Sequence, residues 1–279
     1  FCGIHSKKTI TLRLASTFIV ALFAIVCIFP FVWMVSTSFK YEMDVMEFPV
    51  RIVPKNINTG NYPYVWNRSD FPTFYLNTIK VALITIAGEL MITTPAAYAF
   101  ARLRLRGKNL IRLVYLSTMM IPAQVLLLPK YIYFSALGIT NSHLSLILPG
   151  FFSVFGVLLI TESFAEIPFE LTEAAYIDGA GHMRIFLKLI LPLAKPGLMT
   201  LLLLSLTWVW NDYINPLIFL SKDRLLTLTV GLQRFAEESF TSYARIMAGA
   251  TISLVPIIVV FFFTQKFFIE SFASAGIKG

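Results

Sequence analysis

The feature that most constrains this chain is a series of long apolar runs, each of about 20 residues. A helix of that length crosses the hydrocarbon core of a bilayer, which is about 30 Å thick. The apolar runs lie at about residues 14–36, 76–100, 110–128, 144–165, 197–220 and 246–268. The composition agrees, since 57% of the residues are hydrophobic and 14% are charged. We therefore predict an all-α membrane protein whose single transmembrane domain, residues 1–279, has six membrane-spanning helices.

A basic cluster after the second run indicates which side of the membrane each loop occupies. Lys and Arg are enriched on the cytoplasmic side, and this acid-free cluster contains Arg102, Arg104, Arg106, Lys108 and Arg112. It does not have the pattern of a nucleic-acid-binding patch, because no aromatic residues interleave with the charges. We therefore predict that both termini and residues 166–196 are cytoplasmic, and that the loop 40–74 lies outside.

The longest polar-bearing insert in the apolar second half of the chain is residues 166–196. Pro168 suits the first turn of a helix, where its missing N–H has no cost. Gly179 is expected to end that helix, because glycine adopts the left-handed conformation without penalty. A second helix is predicted over about residues 182–191, ended by Pro192. The insert is thus a helix–glycine–helix segment, which we call the elbow.

The elbow resembles the signature loop of the permease subunits of binding-protein-dependent ABC importers. In that signature, a Glu-Ala-Ala triplet precedes a glycine, and an aliphatic residue precedes a Leu-Pro pair, all at fixed spacing. The matching residues are Glu173, Ala174, Ala175, Gly179, Leu189, Leu191 and Pro192. Leu189 is a mild departure, since isoleucine is usual there. The alternative is an amphipathic loop that lies on the bilayer surface.

The resemblance covers nearly the whole chain. Further matching segments are residues 97–102, 120–122, 210–212, 216–217 and 276–279. They are similar to the carbohydrate branch of the family, the maltose- and glycerol-phosphate-type permeases. The resemblance implies the type I ABC importer permease architecture and a multi-pass protein of the bacterial cytoplasmic (inner) membrane.

The resemblance also implies a set of partners. These are a second homologous permease subunit, two copies of an ABC ATPase subunit, an extracytoplasmic solute-binding protein and a carbohydrate substrate. The elbow would act as a coupling helix that docks on the ATPase through Glu173, Ala174, Ala175, Asp178 and Gly179. ATP-driven closure of the ATPase pair would then move the helices beside the elbow as rigid bodies, which gives alternating access.

The sequence contains no motif for catalysis or metal binding. It has no Gly-x-x-x-x-Gly-Lys-Ser/Thr nucleotide loop and no Ser/His/Asp or zinc-ligand pattern. We therefore expect a subunit that is not an enzyme, with no catalytic residues, no metal and no cofactor of its own. ATP and Mg²⁺ would be bound by the partner ATPase subunits.

A polar cluster in the fifth apolar run is the best candidate for the substrate pathway. It consists of Trp210, Asn211, Asp212 and Asn215, and the last three share a predicted helical face with Trp208. Amides bond to sugar hydroxyls, and aromatic rings cover the apolar faces of a pyranose. Two alternatives stay open: hydrogen bonding between membrane helices, and an aromatic belt at the membrane interface.

Two other functions also have some support from the sequence. Acids inside a membrane often mark an ion pathway, so Glu89 and Asp212 would suit the proton relay of a proton-coupled secondary transporter. For Glu89, a protonated or hydrogen-bonded packing residue is the slightly favoured alternative. A membrane-embedded enzyme is the second alternative. Neither function explains the Glu-Ala-Ala spacing of the elbow.

Overall fold

The computed structural model describes residues 3–68, 70–239 and 242–276. All the regular elements in those stretches are helices, which confirms the predicted all-α fold class. The closing residues 277–279, part of the segment used in the resemblance, lie outside the described residues. The chain forms two compact units, residues 1–69 with 234–253 and residues 70–233 with 254–279, and each is described by itself.

The α-helices are numbered in chain order. They are α1 (Gly3–Ser38), α2 (Glu42–Val45), α3 (Asn61–Arg68), α4 (Phe71–Arg102), α5 (Lys108–Thr118), α6 (Leu127–Ala136), α7 (Leu144–Gly150), α8 (Val154–Ala165), α9 (Phe169–Ile177), α10 (His182–Ile185), α11 (Leu191–Leu193), α12 (Lys195–Trp210), α13 (Ile214–Phe219), α14 (Leu228–Glu238) and α15 (Tyr243–Gly276). Short 3₁₀ turns occupy Ala123–Leu126 and Asp223–Leu225, and a π-helical turn occupies Phe186–Ile190.

In the first unit, polar side chains hold the segment after α1 in place. The Asn61 amide donates to the carbonyls of Ser38 and Lys40, each at 2.9 Å. The Glu42 carboxylate accepts the N–H groups of Tyr243 at 2.8 Å and Ala244 at 3.0 Å, at the start of α15. An acid at a helix N-terminus satisfies N–H groups that lack a partner within the helix. The loop predicted at 40–74 therefore contains two short helices, α2 and α3, and is anchored to α15.

The second unit is built around α4, which packs against α7, α8 and α12. Glycines allow the closest approach: a Cβ on Gly88 would lie 2.1 Å from the Phe151 ring, and one on Gly150 would lie 2.3 Å from Thr85 Cγ2. Small residues at such contacts are typical of helices that pack within membranes. The helix bundle thus depends on close backbone approach around the junction of α7 and α8.

Prolines break two of the predicted spans. A proline lacks an N–H, and its ring clashes with the carbonyl four residues earlier. Accordingly, α5 ends at Thr118, four residues before Pro122, and α12 ends at Trp210, before Pro216. The apolar runs 110–128 and 197–220 are therefore each divided between more than one helix.

The segments after these breaks are helical. Residues 127–136, which begin at the end of the third run and continue beyond it, form α6. Residues 214–219, at the end of the fifth run, form the separate helix α13. The second run also starts earlier than predicted, since α4 begins at Phe71.

Four helical segments are long and apolar enough to cross a membrane. They are Arg13–Ser38, Phe71–Arg102, Leu144–Ala165 and Tyr243–Phe267. Two further pairs qualify only when joined across a bend: Lys108–Thr118 with Ala123–Ala136, at 82°, and His182–Leu193 with Lys195–Trp210, at 74°. Among the described residues, the structure therefore contains four unbroken candidate spans and two bent ones.

The contact at Gly88 yields a test of the packing. We expect Gly88→Ala to destabilise the protein by about 1–3 kcal/mol, because the new methyl group overlaps the Phe151 ring. The measurement is the thermal unfolding midpoint of the detergent-purified transporter. Gly181→Ala is the control, since a Cβ there meets nothing within 4 Å. A Gly88→Ala variant as stable as the wild type would contradict the described packing.

Candidate functional site

The first half of the elbow is α9, which ends in the left-handed turn predicted from the sequence. Gly179 has φ +78°, and its N–H donates to the Tyr176 carbonyl at 3.0 Å. The N–H of Ala180 donates to the Ala175 carbonyl at 2.9 Å. This pair of bonds is the Schellman motif, in which a glycine in the left-handed region closes a helix C-terminus. The prediction that Gly179 ends the first helix is therefore confirmed.

Most of α9 is exposed, including apolar side chains. Thr172 is its only buried residue, whereas Ile177 is 86% exposed and Leu171 is 43% exposed. Of the predicted docking residues, Glu173, Ala174, Asp178 and Gly179 are exposed, and Ala175 is partly buried. A short helix that exposes both apolar and acidic side chains is typical of a protein-binding surface.

The second half of the elbow is anchored in a buried core. Ile185, Phe186 and Ile190 are buried in a cluster with residues of α4, α8 and α12. The predicted end at Pro192 was wrong, because helical structure continues to Leu193. The wider π-helical turn, in which the Leu191 N–H bonds to the Phe186 carbonyl, accommodates the proline.

A cavity of about 730 Å³ lies within the second unit. This volume is in the range of small-molecule sites. Its polar and aromatic lining includes Glu89, Lys130, Ser153, Trp208, Asn211, Asp212 and Asn215. The structure thus brings together the predicted residues Asn211, Asp212 and Asn215.

The cavity residues are arranged by the break after α12, so the prediction that they share one helical face was wrong. The Asp212 carboxylate accepts the Asn215 N–H at 3.2 Å and the Asn215 amide at 3.0 Å. The Asp212 carbonyl accepts the Thr229 hydroxyl at 2.6 Å. The Asn211 amide donates to the Thr207 carbonyl at 2.8 Å. Asp212 therefore holds the start of α13 in place while it faces the cavity.

The two tryptophans of α12 have different surroundings from those predicted. Trp210 is 4% exposed, does not line the cavity and packs edge-on against Tyr75 with ring centroids 5.7 Å apart. Trp208 is 60% exposed, lines the cavity and lies 5.6 Å from the Phe155 ring. The aromatic lining of the cavity thus consists of Trp208 with Phe152 and Phe155, whereas Trp210, the tryptophan predicted for the pathway, lies outside that lining.

Glu89 lies in the cavity wall on α4 and is 5% exposed. Its carboxyl group is hydrogen-bonded to the hydroxyls of Ser205 and Ser153. A Cβ on Gly156 would lie 3.1 Å from Glu89 Oε1, so this glycine makes room for the carboxyl group. Hydrogen-bonded packing and contact with the cavity, which the sequence left as alternatives, are therefore both present.

The lining suits a ligand that carries many hydroxyl groups. Carboxylate groups accept hydrogen bonds, amide groups both accept and donate them, and the exposed face of Trp208 offers an apolar platform. Such a mixture of polar groups on an otherwise apolar wall is typical of small-molecule sites.

Sequence reasoning missed one residue that connects the elbow to the bundle. Arg102 was assigned as a marker of the cytoplasmic side and as the last residue of the matching segment 97–102, yet it is 9% exposed and donates to carbonyls near the start of the elbow. Its place in that segment, one turn from the aromatic Tyr98, was the signal in the sequence.

Comparisons with known proteins agree with this geometry. The family model described as "Binding-protein-dependent transport system inner membrane component" matches residues 90–273. Probable ABC transporter permease protein YurM of Bacillus subtilis is 32% identical over 260 residues, which are 92% of this chain and 86% of that protein. Galactooligosaccharides transport system permease protein GanQ of the same organism is 30% identical over 272 residues, 95% of each chain.

A solved structure shares the fold. A chain in the crystal structure of a bacterial ABC transporter involved in the import of the acidic polysaccharide alginate has a TM-score of 0.82 and 25% identity. The match covers 96% of this chain and 99% of that chain. These findings confirm the resemblance drawn from the elbow motif. The chain therefore belongs to the inner membrane components of binding-protein-dependent transport systems, the permease subunits of ABC transporters.

Proposed function

We propose that this chain is the membrane-spanning permease subunit of an ATP-driven importer for a sugar or oligosaccharide. It forms half of the translocation pathway and transmits work from separate ATPase subunits by alternating access. The observation that carries this proposal is α9, an exposed helix with apolar and acidic side chains that is joined through Gly179 to a buried anchor. A proton-coupled mechanism is not favoured, because the family consists of ABC transporter components.

The proposed topology has six membrane crossings. Four are the unbroken helical segments, and two are the bent pairs, with broken helices tolerated because they line a cavity or are buried in protein. The basic cluster that follows α4 supports a cytoplasmic location for the elbow and for both termini, in a bacterial inner membrane. The loop 40–74 then faces outward, toward an extracytoplasmic solute-binding protein.

The elbow is proposed to dock in a cleft of the ATPase. Ala174 permits close approach, Glu173 and Asp178 offer negative charge, and Gly179 fixes the turn. Ala175 supports the helix from beneath, since it packs against the buried cluster. ATP and Mg²⁺ bind to two ATPase subunits, and a second homologous permease completes the membrane part. This chain itself is proposed to have no catalytic role.

A carbohydrate is the proposed substrate class. Two observations support it: the hydroxyl-binding character of the cavity, and the names of similar proteins, which refer to galacto-oligosaccharides and to alginate. Asn211, Asp212, Asn215 and Trp208 are the proposed pathway residues. Trp210 would act only by packing behind them.

Gly179 and Gly181 provide a matched test of the elbow. A Cβ at either position meets nothing within 4 Å, but only Gly179 has positive φ. We expect Gly179→Ala to strain the turn by about 1–2 kcal/mol and lower both ATPase co-purification and uptake, because the left-handed conformation is unfavourable for alanine. Gly181→Ala should leave both unchanged.

The identity of the replacement sharpens the same test. Gly179→Asn should retain more function than Gly179→Ala, since asparagine tolerates the left-handed region. Co-purification is measured by pulling down this chain and quantifying the ATPase subunit. Equal behaviour of Gly179→Ala and Gly181→Ala would contradict a docking role for this turn, and failure of any ATPase to accompany the wild type would contradict the proposed function.

The two tryptophans of α12 test the cavity. Trp208→Ala should lower the rate of oligosaccharide uptake about five-fold at an unchanged level of assembled transporter, because it removes a contact worth about 1 kcal/mol. Trp210→Ala should instead reduce the level of assembled transporter, since removing a buried tryptophan costs about 3–5 kcal/mol. The measurements are uptake of labelled oligosaccharides by cells and the amount of complex in the membrane. Normal uptake in Trp208→Ala would exclude a contact between this ring and the substrate.

A further inference from the structure

We propose that Arg102 is a positioning residue that clamps the elbow to α4, so that movement of α9 reaches the cavity wall. This inference rests on the proposed coupling role of the elbow and specifies how movement of α9 reaches the membrane helices. It concerns a side chain that the signature motif of the elbow does not include.

Arg102 is the last residue of α4, and one guanidinium group contacts three consecutive parts of the chain. Nη2 donates to the Phe164 carbonyl at 2.5 Å, near the end of α8. It also donates to the Ile167 carbonyl at 2.6 Å, in the link between α8 and α9. The guanidinium carbon lies 5.7 Å from the ring centroid of Phe169, the first residue of α9. The side chain therefore joins the end of α4 to both sides of the α8–α9 junction.

The chemistry of this contact favours arginine over lysine. The carbonyls at a helix C-terminus lack partners within the helix and carry partial negative charge, so a cation stabilises them. A planar guanidinium binds two oxygens and stacks on a ring at the same time, whereas an ammonium group acts as a point charge. Both acceptors are main-chain oxygens, so the contact fixes the backbone itself. Because Arg102 is only 9% exposed, these hydrogen bonds are also shielded from water.

The second half of the elbow is attached to the same end of α4. Tyr98, one turn before Arg102, packs against Phe186 with ring centroids 5.1 Å apart. Phe186 lies in the π-helical turn that follows α10. Both halves of the elbow thus contact the last turns of α4, on either side of the Gly179 turn. A push on α9 is therefore delivered to α4.

The helix that receives the push also forms the cavity wall. Thr78, Val81, Thr85 and Glu89 of α4 line the cavity. Glu89 lies about 20 Å along the helix from Arg102, at a rise of about 1.5 Å per residue. One helix, Phe71–Arg102, therefore links the clamp to the cavity, with Pro95 inside it between Glu89 and Arg102. Displacement of its cytoplasmic end changes the shape of the site without any intermediate element.

The test uses the complete transporter in proteoliposomes and reads the cavity directly. Phe152, which lines the cavity and is 69% exposed, is replaced by cysteine in a background without Cys2 and Cys27. The rate of maleimide labelling is measured with and without ATP and vanadate, which trap the nucleotide-bound state. Coupling between two sites of about 1–3 kcal/mol corresponds to a change of about five-fold or more. With wild-type Arg102 we expect a change of at least that size.

Arg102→Lys should reduce the labelling response to less than about two-fold while ATP hydrolysis by the assembled complex continues, because the elbow moves without carrying α4. Phe169→Leu removes only the ring and should give a response between those of Arg102→Lys and the wild type. Arg106→Lys, an exposed position in the same basic cluster, is the matched control and should behave as the wild type.

Three results would overturn the clamp. The first is a full labelling response in Arg102→Lys. The second is a loss of labelling response, hydrolysis and assembled complex in equal proportion, which would indicate a helix cap that serves only stability. If Arg102→Lys does not assemble, a full response in Phe169→Leu is the third. The proposed function itself fails in a different way, when the wild-type complex shows neither ATP hydrolysis nor any effect of vanadate.

Discussion

The need to satisfy backbone polar groups away from water governs this structure. Each helix break frees carbonyl groups, and in a bilayer such groups are tolerated only where protein or a wet cavity satisfies them. The break between α12 and α13 meets this requirement, because the Thr229 hydroxyl donates to the Asp212 carbonyl and the Asn215 backbone N–H donates to the Asp212 carboxylate. The same break leaves Asn211 and Asp212 in the cavity lining. The proline that interrupts the helix therefore also creates the polar site.

Within the second unit, close packing holds the helices around α4 together, and polar and aromatic contacts hold the elbow to α4. Around α4, Gly88 and Gly150 allow neighbouring segments to approach so closely that an added methyl group would overlap them. At the C-terminal end of the same helix, a buried guanidinium and an aromatic pair hold the elbow. One helix thus borders the cavity and contacts the segment that is proposed to meet the motor.

The sequence predicted the fold class and the local form of the elbow, because these depend on composition and on residues close in the chain. Gly179 closes α9 as its backbone freedom requires. A proline disfavours helix over the four residues before it, so the breaks before Pro122 and Pro216 have a local cause in the sequence. The choice between Trp208 and Trp210 was out of reach, since α12 is apolar on all sides and periodicity marks no inward face. Contacts such as that between Asp212 and Thr229 depend on the folded chain.

The bond between Glu42 and α15 has a consequence for the segment that follows α1. Its two carboxylate oxygens hold the first N–H groups of the last long helix, so the loop after α1 and that helix begin from a common anchor. A protein that bound this loop and displaced it would therefore also displace the start of α15. Any such displacement would be transmitted to α15 through Glu42.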